Sequence, residues 1–185
     1  LSPFCFSSCL SLEDVDKLLD EKPNMDNILI LSVRLLQSPA DGDAEAGVAL
    51  LLHGMKNVSN PGEKYVRLHR PERTKEEAGL RKSAEQSIIW GRSQSQEVSH
   101  LWLSGLGVEN NTLTFLAKNN LKFSTVDAEG TFIDIDMKSG NVGKVSPWLA
   151  IALAAENAGR VTAPQLVMSM PDTGSLPWWL IIHST

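Results

Sequence analysis

The chain has 185 residues, 42% of them hydrophobic and 21% charged, with a formal net charge of −5. Those values belong to one soluble globular domain and exclude a disordered, collagenous or disulfide-framework chain. No apolar run approaches the ~18–20 residues of a membrane-spanning helix, and no basic segment precedes the first apolar one, so the chain reads as soluble and cytoplasmic rather than secreted.

Residues 1–10 form an apolar arm, in which Phe4 and Phe6 are candidates for an interface, ahead of a single globular domain over 11–185. The only two thiols, Cys5 and Cys9, lie in this arm, too few for a cysteine-rich zinc site. Ser11 with Asp14 three residues on makes a capping-box-like start for a short helix at 12–21. The run at 28–36 is apolar on every face, so periodicity does not separate helix from buried strand, and its length favours helix. Ala- and Leu-rich 44–55 reads as another buried helix.

After a loop at 57–62, a short strand is expected at 65–68. Thr74 and Glu77 open a helix whose stripe is Leu80, Ala84 and Ile88, with Glu77 and Arg81 as an i,i+4 pair. Val98, Leu101, Trp102 and Gly105 mark one short helix, and Leu113, Leu116 and Ala117 another. A β-hairpin at 121–137 follows, turning at Ala128, Glu129 and Gly130, with Phe123 opposite Ile135 and Lys122 opposite Asp136. Ser146 as cap, Pro147 as first residue and Gly159 as stop bracket a helix at 147–158, which should be the centre of the core. Thr162, Pro164 and Gln165 start a short helix, and 176–183 is strand-like. The fold expected is mainly α (α+β): a compact bundle of about seven short helices around the 147–158 helix, with one hairpin.

Several motifs fail on their chemistry. Asp172-Thr-Gly-Ser175 looks like the catalytic triplet of pepsin-type proteases, but only ten residues follow it and the second aspartate must come from elsewhere. Gly140-Asn-Val-Gly143-Lys144 is too short for a phosphate-binding loop and lacks the Ser or Thr after the Lys. Four scattered histidines, His53, His69, His100 and His183, show no metal-ligand spacing. Asp134 and Asp136, two apart on a strand, would share one face and could hold a divalent metal for a small metal-dependent hydrolase.

Charge is unevenly spread: residues 64–92 hold eight basic and four acidic side chains, the remainder nine basic and eighteen acidic. Lys64, Arg67, Arg70, Arg73, Lys75, Arg81, Lys82 and Arg92 are therefore candidate contacts for single-stranded nucleic acid, or for the acidic segment 13–26 of a neighbouring subunit. Trp178 and Trp179 join Phe4 and Phe6 as candidate interface residues. On this reading the chain is a non-enzymatic, self-associating structural or binding subunit, of the viral coat, matrix or nucleocapsid kind, that needs no cofactor. The metal-dependent hydrolase using Asp134 and Asp136 is the alternative.

Overall fold

In a computed structural model, residues 11–21, 27–54, 65–107, 131–170 and 175–184 are described. The elements in chain order are α1 (Leu12–Glu21), β1 (Ile28–Arg34), β2 (Ala46–Leu52), β3 (Val66–Leu68), β4 (Glu72–Arg73), α2 (Leu80–Trp90) and β5 (His100–Ser104). They continue with β6 (Phe132–Asp134), α3 (Ile135–Ser139), α4 (Ser146–Val161), β7 (Gln165–Ser169) and β8 (Trp178–Ser184). This is an α/β fold, with four α-helices among the described residues, a mixed sheet and a separate hairpin, and the expected helical bundle is wrong.

The sheet explains the error. Its order is β3–β8–β7–β5–β6, with β4 also on β8. β5 runs parallel to β6 and β7, while β8 is antiparallel to β7, β3 and β4. Helices cover both faces, so the central strands are apolar on both sides and lose the alternation that marks a half-exposed strand. Trp102, Val167, Leu180 and Ile182 pack on the face holding α4 and the hairpin. Leu101, Leu103, Leu166, Met168, Trp179 and Ile181 pack on the face holding α2. Period two survives in where the side chains go, although not in the letters. The helices expected around Val98–Gly105 and after Thr162 are accordingly the strands β5 and β7.

The runs at 28–36 and 44–55 form an antiparallel hairpin, β1–β2, rather than two helices, with Ile30 opposite Leu50. Ile30 and Val48 face the core, and the β-branched residues of β1 suit a pleated surface. The hairpin is fastened to the loop before α4. Arg34 donates to Asp43 Oδ1 at 2.9 Å and to the Asn141 carbonyl, and Asn141 Nδ2 donates to Asp43 Oδ1 at 3.1 Å.

Three helices form near their expected places. At α1, Ser11 Oγ donates to Asp14 Oδ2 at 2.8 Å and accepts from the Asp14 amide at 3.3 Å, a reciprocal cap. In α2 the stripe Leu80, Ala84 and Ile88 is buried as expected, but Arg81 pairs with Glu85 rather than Glu77, and the Thr74 hydroxyl accepts from Trp179 Nε1 at 2.9 Å. Gly91 ends α2 against the sheet, where a Cβ would lie 2.0 Å from Ile181 Cγ2. α4 begins at Ser146 with Pro147 in its first turn but runs through Gly159 to Val161, ending at left-handed Thr162. It lies against the sheet through Ala150, Ala154 and Ala158, all fully buried, whose small side chains let it approach closely.

Candidate active site

In open sheets with parallel strands, ligands sit beyond the carboxyl ends of those strands. Here those ends are Ser104 of β5, Asp134 of β6 and Ser169 of β7, all buried. The segment after β5 turns at Gly105, whose φ of +79° favours glycine and whose absent Cβ would lie 2.0 Å from the Met170 carbonyl. Ser104 O accepts from the Met170 amide at 2.9 Å, joining the first residues past β5 and β7.

Asp136 organises this end. It is buried, with one carboxylate oxygen accepting from Ser146 Oγ at 2.7 Å and the other from the Gly107 amide at 3.0 Å. The carboxylate therefore locks the start of α4 to the turn after β5. Asp134 instead caps α3, accepting from the Met137 amide at 3.0 Å. Sequence placed both aspartates on one face of a hairpin strand, but β6 ends at Asp134 and a helix begins at Ile135. They do not face one cation, and among the described residues no group of three or more metal-ligating side chains forms. The partner strand expected at 121–126, with Lys122 and Phe123, lies outside the described residues, as does Asp172-Thr-Gly174 of the protease-like triplet.

The opposite end of the sheet carries a saturated polar network. Gln165, fully buried, accepts from Trp102 Nε1 at 3.0 Å and Asn157 Nδ2 at 2.9 Å. Its own amide donates to Ser99 Oγ at 2.7 Å and to the Ala163 carbonyl at 2.8 Å. His100 touches the same network through Ser99 and Asn157, and burial holds its pKa below the usual histidine value. Gln165 is saturated in this network, which fixes the strand ends.

The basic residues of 64–92 are not on one face. Arg70 donates to Asp16 at 2.7 Å and to Asp20 at 2.8 Å, so the acidic segment expected to reach a neighbour's basic residues comes from this chain's own α1. Arg73 stacks 5.9 Å from the centroid of Trp178, and Arg81 pairs with Glu85. Lys75 and Lys82 are exposed, and Lys64 lies outside the described residues. Arg67 stands opposite His183, and its charge and that of exposed Arg92 both act on His69, a grouping that sequence spacing could not show. Trp178 and Trp179 are 6% and 0% exposed, so they are core rather than interface; Phe4 and Phe6 lie outside the described residues.

This sheet and its flanking helices are similar in fold to part of several condensing enzymes, a thiolase-like half fold. A chain of the AntDE:AntF complex, a type II polyketide synthase acyl-carrier protein with its ketosynthase bound to the hexaketide, superposes with a TM-score of 0.64 at 12% identity, over 97% of this chain and 58% of that one. AbyA1, a tetronic acid condensing enzyme, matches with a TM-score of 0.55 at 12% identity, over 93% of this chain and 67% of that one. 3-Oxoacyl-[acyl-carrier-protein] synthase III from Aquifex aeolicus VF5 matches with a TM-score of 0.52 at 12% identity, over 93% and 62%. The chain thus spans about three-fifths of the length of these proteins. No protein-family model matches the sequence, and no curated protein matches it. The likeness overturns the expectation of a helical, RNA-binding, viral-type assembly subunit and, with it, both the expectation of a non-enzymatic protein and the hydrolase alternative. The fold is similar to part of that of condensing enzymes. Among the described residues no helix is long and apolar enough to cross a membrane.

Proposed function

We propose that the chain is an acyl-handling unit of the condensing-enzyme type, receiving an acyl chain as a thioester from a carrier at the carboxyl ends of β5, β6 and β7. The observation that carries this reading is the superposition over 97% of the chain on a ketosynthase assembly with a bound polyketide. The local geometry supports it: a turn with positive φ at Gly105 and Gly107 follows β5, and Asp136 holds that turn against the start of α4. The outward face of the hairpin, with Leu31, Val33, Leu35 and Leu51 all more than half exposed, is an apolar surface that a partner would cover.

Titration with S-acyl pantetheines of increasing chain length, read by tryptophan fluorescence, tests the proposal. Saturable binding should tighten with length, by up to about fourfold for each methylene buried. Absence of binding, or affinity indifferent to chain length, counts against it.

A further inference from the structure

Three buried nitrogens in the described residues lack any hydrogen-bond partner: Arg67 Nε, His69 Nε2 and His183 Nε2. Folded proteins rarely leave buried polar atoms unpartnered, and here all three converge on one place. Arg67 stands opposite His183 in the β3–β8 register, and His69, two residues on, points to the same face of the sheet. The two imidazole centroids are 4.7 Å apart. Arg92, exposed just past α2, is near enough for its charge to act on His69 together with those of Arg67 and His183. Neither Arg67 nor Arg92 has an ion-pair partner among the described residues. Arg92 also holds a left-handed backbone with φ +52°, an outlier of the kind that accumulates at ligand sites.

We propose that Arg67, His69, His183 and Arg92 form a binding site for a phosphate group. The site lies at the end of the sheet opposite the strand carboxyl ends and does not depend on the acyl-handling reading. Two guanidinium groups next to two imidazoles repel a metal cation and hold more positive charge than a carboxylate would neutralise, whereas a phosphate dianion offers both the charge and enough acceptor oxygens.

The geometry couples binding to a proton. The Trp90 backbone favours the protonated His69 ring, Nε2 has no partner, and only the protonated ring donates from both nitrogens. Around it stand Arg67 of β3 and Tyr65 just before it, His183 from β8, and Trp90 and Arg92 at and just past the end of α2; Glu72 of β4 accepts from the Trp90 indole at 3.1 Å. Burial and the positive neighbours push His69 down to about 4. Phosphate reverses the sign of that field: at about pH 6 the ligand's own second proton can pass to His69 Nε2 and leave the dianion bound, whereas at about pH 8 that proton must come from solvent, so affinity should rise as pH falls.

Calorimetry on the full chain with inorganic phosphate, ribose 5-phosphate and acetate, at about pH 6 and pH 8, tests this, alongside nitrogen resonances of the His69 ring. Phosphate should bind at least about fivefold more tightly at the lower pH, and the His69 Nε2 resonance should move to the protonated range. Arg67→Gln should weaken binding about tenfold or more. Arg92→Gln, an exposed change that leaves the core intact, should weaken it severalfold and serves if the Arg67 variant fails to fold. Tighter binding of ribose 5-phosphate assigns a phosphorylated metabolite, and equal or tighter binding of inorganic phosphate assigns the free ion; either upholds the site. No phosphate binding at the lower pH, acetate binding as tight as phosphate, or affinity unmoved by both arginine variants overturns it.

Discussion

At the scale of residues, the histidines make the molecule sensitive to acid. Burial lowers the pKa of His69, His100 and His183 in the fold, His69 to about 4 from 6.5. A base with a depressed folded pKa binds fewer protons folded than unfolded, so its stabilisation is complete above about pH 6.5 and drains away toward pH 4. In phosphate-free buffer, His69 alone should lose roughly 1–2 kcal/mol between about pH 7 and 4, after discounting for its partial exposure. Urea unfolding at several pH values measures this, and His69→Gln should flatten the profile; an unchanged profile contradicts the assignment. Asp136 is the other decisive residue. Asp136→Asn turns one acceptor into a donor facing either Ser146 Oγ or the Gly107 amide, and should cost about 1–3 kcal/mol by the same assay. A variant as stable as the parent would show that the carboxylate is not the lock on this turn.

At the scale of elements, α4 should tolerate volume badly on its sheet-facing side. Ala154 has no exposure, and Ala154→Leu should push the helix off β7 and β8 at a cost of about 1–3 kcal/mol. Thermal unfolding checks it, with Glu156→Ala on the exposed side expected to change little. Elements with punctuation were legible in the sequence: the Ser11–Asp14 cap, the Leu80–Ala84–Ile88 stripe and Pro147 each put a helix in its place. So was the strand-like end at β8. Uniformly apolar segments were not. The run at 28–36 and the strands β5 and β7 carry no alternating pattern in their letters, because the neighbours that bury their second faces come from elsewhere in the chain, and length arguments then favoured helix. The site was less legible than the fold. Asp134 and Asp136 drew attention for the right reason, being closely spaced carboxylates, but their roles as cap and lock depend on a strand-to-helix change at Ile135 that no local signal marks. Pairing Arg67 with His183 required the register between strands more than a hundred residues apart.

At the scale of the whole molecule, the proposed acyl site lies at the end of the sheet where the parallel strands β5, β6 and β7 finish. The exposed apolar face of the hairpin adds nothing to the chain's own stability in this view. Val33→Thr with Leu35→Thr should therefore shift stability by no more than about 0.5 kcal/mol, while lowering binding of a hydrophobic dye; a marked loss of stability would place that face inside this unit. Amide shift mapping by NMR with S-decanoyl pantetheine tests the central claim most directly. The account predicts perturbations concentrated at Gly105, Leu106, Gly107, Ser146, Ser169 and Met170. Shifts confined to the His100–Asn157–Gln165 end, or none at saturating thioester, would contradict it.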